Sequence, residues 1–202
     1  MLERAFWWIS PPKELRKINA IINENFICGD DFIDIRNGRT YKTVEIGTQC
    51  WFAENLNYEA GNSWCYENNK INCEKYGRLY NWHTATVICP FGWSLPDYVQ
   101  WEELVKYLGA QDVGGKLKEG GTSHWEVEKC GDSLCNSSRF TALPAGLRAE
   151  DGSFMLLGSR TSFWSFTPNR SWRLLANSSG IFPHHVADHK SGMSVRCIKR
   201  SD

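Results

Sequence analysis

Eight cysteines are the feature that most narrows what this 202-residue chain can fold into. None belongs to a Cys-x-x-Cys pair, the spacing typical of structural zinc sites. The cytosol keeps thiols reduced, so cytosolic proteins rarely accumulate so many cysteines. The pattern therefore predicts disulfides and an oxidising compartment, rather than a zinc site or eight unrelated buried thiols. The cysteines are Cys28, Cys50, Cys65, Cys73, Cys89, Cys130, Cys135 and Cys197.

The charge balance excludes two classes of partner. Lys plus Arg number 23 and Asp plus Glu number 23, so the formal net charge is zero. A nucleic-acid-binding protein usually needs a basic surface, and docking on anionic lipid needs a basic segment. No apolar run approaches the ~20 residues of a membrane helix. No usable signal peptide is visible at the start of the chain, so export is inferred from the cysteines alone.

The hydrophobic pattern predicts an extension followed by one α+β domain. Residues 13–26 have apolar side chains at helical spacing, which predicts an amphipathic helix within an extension over residues 1–33. The main domain is predicted over residues 34–202, with two strands around the turn at Gly47-Thr48.

Two helices and a series of short strands complete that domain. One helix is predicted over residues 76–87. The second begins at Asp97, with Gln100 completing a capping box, and ends at Gly109. Short strands separated by turns follow from Phe140 onward. We expect two helices packed on short antiparallel sheets, stapled by disulfides.

A set of ordered motifs carries a family resemblance across about four fifths of the chain. They include Trp51-Phe52-Ala53-Glu54-Asn55-Leu56-Asn57-Tyr58, Trp64-Cys65-Tyr66, Tyr76-Gly77-Arg78-Leu79-Tyr80-Asn81-Trp82, Cys89-Pro90, Gly92-Trp93, Gly114-Gly115-Lys116-Leu117-Lys118, Phe140-Thr141-Ala142-Leu143-Pro144-Ala145-Gly146, Phe163-Trp164-Ser165 and Ser194-Val195-Arg196-Cys197. In this order they resemble the Fibrobacter succinogenes major paralogous domain.

The resemblance implies a C-type-lectin-like fold, related to that of formylglycine-generating enzymes, in a secreted, outer-membrane or other cell-surface protein. It also implies a link to surface adhesion and the breakdown of plant polysaccharides. The family pattern implies pairing of Cys89 with Cys197, with local closures between Cys65 and Cys73 and between Cys130 and Cys135. Cys28 and Cys50 then remain and are expected to pair.

Catalytic and metal-binding readings find little support in the sequence. The chain has no Gly-x-Ser-x-Gly elbow, P-loop or His-Glu-x-x-His motif, so we expect no catalytic residue and no cofactor. His184, His185 and His189 suggest a metal cluster, but a strand places His184 and His185 on opposite faces. Thr167-Pro168-Asn169 resembles the loop of calcium-dependent lectins but lacks the acidic residue before proline, so we expect no metal there.

Binding is the function that the sequence favours. Aromatic rings contact the apolar faces of sugars, and polar neighbours bind the hydroxyls. Ten tryptophans make such contacts plausible, although Trp51, Trp82, Trp93 and Trp164 fall within family motifs and are assigned to the fold. The predicted ligand-binding residues, of which Trp172, Arg170 and His184 are expected to be exposed, are Trp172, Arg170, Asn169, Asn177 and His184.

We therefore expect a non-catalytic extracellular module that binds a plant-type polysaccharide or a surface protein. Two alternatives stay open at this point. One is a protein-recognition module on the same fold, and the other is a relative of the formylglycine-generating enzymes. The sequence leaves the ligand and the oligomeric state undetermined.

Overall fold

The structure is a computed structural model that describes residues 26–109, 111–131, 134–186 and 188–199. All but the last residue of the helix predicted over residues 13–26 therefore lies outside the described residues. The described strands are β1 (Phe32–Asp34), β2 (Arg39–Tyr41), β3 (Thr43–Ile46), β4 (Gln49–Phe52), β5 (Ser63–Trp64), β6 (Leu79–Tyr80), β7 (Trp93–Ser94), β8 (Ala145–Arg148), β9 (Phe154–Leu157), β10 (Arg160–Trp164), β11 (Arg170–Leu175), β12 (Ile181–His185) and β13 (Ile198–Lys199). The helices are α1 (Lys70–Tyr76), α2 (Trp82–Ala85), α3 (Tyr98–Leu108) and α4 (Val113–Leu117), with a 3-10 turn at Tyr66–Asn68.

The strands form two larger sheets and two two-stranded pairs. The five-stranded sheet has the order β12-β11-β10-β8-β9, and the four-stranded sheet has the order β3-β4-β13-β7. The small pairs are β1-β2 and β5-β6. This is an α+β layout, as predicted. The expectation of purely antiparallel sheets is wrong at one point, because β8 runs parallel to β10.

Helix α3 follows the prediction closely because its start is specified locally. The Asp97 carboxylate accepts a hydrogen bond from the Gln100 amide at 2.8 Å, and the Gln100 side chain accepts one from the Asp97 amide at 2.9 Å. These two bonds satisfy amides that the first turn of a helix otherwise leaves without partners. Gly109 ends the helix with a positive φ of 91°.

The helix predicted over residues 76–87 is wrong, and the described residues contain four α-helices rather than two. Gly77 has a φ of 76° and ends α1 there. The next residues form β6, which pairs with β5. Only α2 lies inside the predicted helix, and the Asn81 side chain caps it by accepting a hydrogen bond from the Thr84 amide.

Aromatic side chains fill the core on the inner face of the five-stranded sheet. Trp51 and Trp101 are fully buried, with ring centroids 4.9 Å apart. The Trp101 ring also lies 5.5 Å from the Phe163 ring of β10. Because Trp101 belongs to α3, these contacts fix that helix against the sheet. A second core contains Phe32, Tyr41, Phe52, Trp93 and Trp164.

Two buried cations join distant segments through backbone carbonyls. The Arg196 guanidinium donates to the Asn55 side chain and to the carbonyls of Phe52, Phe140 and Thr141. The Lys118 ammonium donates to the carbonyl of Leu175, the last residue of β11, and to the carbonyls of Ala176 and Ser178, which follow it. Burial lowers the pKa of Arg196 to about 9 and that of Lys118 to about 8.

The four predicted disulfides are all present. Cys89 pairs with Cys197, which joins the segment after α2 to the segment before β13. The remaining pairs are Cys28 with Cys50, Cys65 with Cys73, and Cys130 with Cys135. The Cys28–Cys50 disulfide links the segment that precedes β1 with strand β4. In that segment the Phe26 ring packs against the Trp93 ring, with centroids 5.6 Å apart.

Candidate ligand-binding site

A group of partly exposed aromatic rings lies where α2 meets the segment after β12. The Trp82 and His189 rings are stacked, with centroids 4.4 Å apart and an interplanar angle of 26°. The exposed His83 ring stands perpendicular to His189 at 5.5 Å. The Trp82 indole donates its hydrogen bond to the Ser165 carbonyl at 2.9 Å, which fixes the ring at the end of β10. We call Trp82, His83 and His189 the aromatic cluster.

Asn169 places a polar side chain beside this cluster. Its Oδ1 lies 2.9 Å from His189 Nε2. The turn between β10 and β11 holds Asn169 with a positive φ of 59°, and its carbonyl accepts a hydrogen bond from the Val186 amide. Within the described part of the chain, no residue accepts a hydrogen bond from Asn169 Nδ2. The cluster therefore combines partly exposed aromatic rings with one amide side chain.

Trp172 is not part of an exposed site, and the prediction that it is exposed is wrong. Only 4% of its surface is exposed, and its ring stacks on that of Tyr98 in α3. Trp172 and Leu174 share the face of β11 that packs into the core, since side chains alternate along a strand. Burial of Trp172 thus follows from which face of β11 lies against α3.

The other predicted residues are distributed over three places. Arg170 is exposed as predicted, and its guanidinium lies over the Tyr98 ring at 5.3 Å. Asn177 is exposed in the turn after β11, at the opposite end of that strand from Asn169. His184 is half-buried on β12, directly opposite Ser171. Asn169 is the predicted residue that contacts the aromatic cluster, through its Oδ1 beside His189 Nε2.

Trp82 and His189 are the residues that sequence reasoning missed. Trp82 was assigned to the fold because it lies in a family motif, yet it remains half-exposed. His189 was considered only as a metal ligand, with His184 and His185. In the described ranges, metal-ligating atoms lie within 4.8 Å of one another at Glu128, Cys130 and Cys135, and not at the three histidines. Cys130 and Cys135 are joined in a disulfide. The adjacent ring side chains of Trp82 and His83 were the sequence signal that could have indicated this cluster.

Two clefts lie away from the aromatic cluster. One of about 530 Å³ lies between β3 and the end of α3, where Tyr107 is exposed. The other, of about 470 Å³, is lined by three arginines and two glutamates. Each of these arginines is ion-paired, namely Arg36 with Asp34, Arg39 with Glu74 and Arg78 with Glu59. The charges of the second cleft are therefore neutralised within the protein.

The fold and the site define a disulfide-linked α+β domain with a small aromatic and polar surface at one end of its larger sheet. None of the helices in the described residues is long and apolar enough to cross a membrane. The chain belongs to the Fibrobacter succinogenes major domain family, whose model matches residues 44–199. No curated protein and no solved structure gave a significant match to the chain.

Proposed function

We propose that this domain is a non-catalytic module that binds polysaccharide outside the cytoplasm, with the aromatic cluster as its contact surface. The observation that carries the proposal is the Trp82–His189 stack with the Asn169 amide beside it. Sugar rings present apolar C–H faces that pack on aromatic rings. Sugar hydroxyls accept hydrogen bonds from amide N–H groups and donate to amide oxygens. The arrangement offers both kinds of contact within one small area.

The cysteines support the extracellular and non-catalytic parts of the proposal. Every described cysteine is in a disulfide, which suits an oxidising compartment. Thiol-based catalysis needs a thiolate, and the described cysteines supply none. We also propose that the fold is C-type-lectin-like, as the family resemblance implies. The Cys89–Cys197 link supports this, because it is the pairing that the family pattern implies.

Pull-down with insoluble plant polysaccharides tests the binding proposal. We expect wild-type protein to be retained on at least one neutral polysaccharide. Trp82→Ala and Asn169→Ala should each reduce retention severalfold, because they remove a ring surface and an amide donor. Tyr107→Ala is the matched control, since Tyr107 is 66% exposed and lies at the end of α3. Equal retention of all four proteins, each shown to be folded by circular dichroism, would contradict the proposed surface.

A protein is the second candidate ligand of this surface. Phe166 is 53% exposed and directly follows Ser165, whose carbonyl holds the Trp82 indole. An exposed aromatic at this place suits a protein partner as well as a sugar. If no polysaccharide retains the wild-type domain, sugar recognition by the aromatic cluster is refuted.

A further inference from the structure

Three basic side chains lie on adjacent strands of the five-stranded sheet, on the face turned away from α3. Arg160 belongs to β10, Arg173 to β11 and His184 to β12. The register places Arg173 opposite both Ser162 and Phe182, on the face opposite to that of the buried Trp172. We call Arg160, Arg173 and His184 the sheet-face cluster.

The register also makes these three residues neighbours. Arg160 pairs with Leu175, two residues from Arg173 on the same face. Arg173 pairs with Phe182, two residues from His184 on the same face. Diagonal neighbours of this kind lie about 7–8 Å apart, within reach of long side chains. The cluster is therefore a continuous row across three strands.

No carboxylate of the described residues neutralises the sheet-face cluster. The five ion pairs in the described part of the chain involve other basic residues, namely Arg36, Arg39, Lys42, Arg78 and His124. This contrasts with the arginines of the second cleft, each of which has an acidic partner. The row thus carries positive charge for which those described residues supply no counter-ion.

Several polar atoms of the row are buried and still lack hydrogen-bond partners among the described residues. They are Arg173 Nε, His184 Nδ1 and Ser171 Oγ, and the Ser171 side chain is fully buried directly opposite His184. Arg160 Nε has one partner, the Ser162 hydroxyl at 3.0 Å. Buried polar atoms are nearly always paired in folded proteins, so the partners of these atoms come from water or from a bound ligand.

The electrostatics of the row agree with this reading. Burial, followed by the charges of Arg173, Arg160 and His185, lowers the pKa of His184. Burial, followed by the charge of Arg173, lowers the pKa of Arg160. No acidic residue contributes to either effect. An anion placed between these side chains would relieve the repulsion that they exert on one another.

Phe182 narrows the class of anion. It is the cross-strand partner of Arg173 and is 36% exposed, so its ring borders the row of cations. A guanidinium binds a carboxylate through two parallel hydrogen bonds, and an aromatic ring packs on the face of a sugar. We infer that the sheet-face cluster binds the carboxylate of a uronic acid residue in an acidic polysaccharide, with Phe182 against the sugar ring.

This site goes beyond the proposed function, because it uses residues outside the aromatic cluster and adds selectivity for charge. The test is affinity electrophoresis of the intact chain in gels containing polygalacturonate, a neutral galactan or dextran sulfate. Arg173→Gln and Arg160→Gln should each weaken polygalacturonate binding by about tenfold, since each removes a charge-assisted contact. Arg170→Gln is the control, because it makes the same charge change on the opposite face of β11.

The expected result is selective retardation of the wild-type chain by polygalacturonate, strongly reduced in Arg173→Gln and Arg160→Gln and kept in Arg170→Gln. Equal weakening in all three variants would indicate unspecific attraction and overturn the site. Equal dependence of dextran sulfate binding on Arg173 would overturn the assignment to uronate. A rise in the melting temperature of the wild-type chain with galacturonate, but not galactose, is expected as well. Its absence would contradict the site even if a variant failed to fold.

Trp82→Ala separates this inference from the proposed function. If the aromatic cluster does not bind sugar, Trp82→Ala leaves the binding of neutral polysaccharide unchanged. The sheet-face cluster is tested separately, by the polygalacturonate and galacturonate results. We expect Trp82→Ala to retain polygalacturonate binding, and loss of that binding in a folded Trp82→Ala protein would overturn the independence of the two sites.

Discussion

The disulfide that closes the longer stretch of chain should stabilise the domain more. Cys89 and Cys197 are 108 residues apart in sequence, whereas Cys65 and Cys73 are 8 apart. A cross-link restricts the unfolded chain, and the lost entropy grows with the logarithm of the loop length. At 25 °C this relation gives about 5 kcal/mol for the longer loop and about 2.5 kcal/mol for the shorter one.

Two double variants make the comparison, Cys89→Ala/Cys197→Ala and Cys65→Ala/Cys73→Ala. Cys65, Cys73 and Cys197 are buried and Cys89 is half-buried, so both variants also lose some buried side-chain volume. The measurement is the free energy of unfolding in urea under non-reducing conditions. We expect the first variant to lose about 2 kcal/mol more than the second.

That difference is large compared with the ~5–15 kcal/mol stability of typical domains. Equal losses in the two variants, or a larger loss for the short loop, would refute the entropic reasoning. Either outcome would indicate that native packing around each sulfur determines the loss of unfolding free energy.

Three further predictions concern buried groups, each measured by the free energy of unfolding in urea. Arg196→Met should cost about 3 kcal/mol or more, because it leaves three carbonyls and an amide oxygen without a donor; a loss below 1 kcal/mol would contradict this. Lys118 has a pKa of about 8 in the folded state against 10.5 as a free side chain. The unfolded chain therefore binds more protons above pH 8, so stability should rise between pH 8 and 9.5 by up to ~1.4 kcal/mol per unit. Lys118→Met should lack that rise, and an unchanged slope would rule out Lys118 as its source. Gly77→Ala should cost at least ~2 kcal/mol, because the added Cβ would lie 2.6 Å from Asn55 Cβ at a φ of 76°; a neutral effect would show that the backbone shifts there.

Local signals account for the parts of the fold that sequence analysis predicted correctly. Helix α3 is specified by Asp97, Gln100 and Gly109, all of which act within or next to the helix. The hairpin of β3 and β4 is specified by its turn. The helix predicted over residues 76–87 failed because its apolar periodicity is local, whereas β6 is held by pairing with β5. Long-range pairing overrides propensity over such short segments.

The site was predictable only in part, for a related reason. Alternation along β11 shows that Trp172 and Arg173 lie on opposite faces, but not which face the core covers. That choice depends on α3, which packs on the sheet from a distant part of the chain. The stack of Trp82 on His189 likewise joins segments far apart in sequence. Asn169 was predicted because it lies close in sequence to several aromatic and basic residues, which is a local feature.

The place of β13 has a consequence for how the protein is made. This strand lies between β4 and β7 in the four-stranded sheet, and the adjacent Arg196 and Cys197 complete the buried polar contacts and the longest cross-link. Because synthesis proceeds from the N-terminus, the ribosome delivers the centre of this sheet only after every other described strand. The nascent domain therefore presents an open sheet and unpaired strand edges to chaperones until residue 199 has emerged.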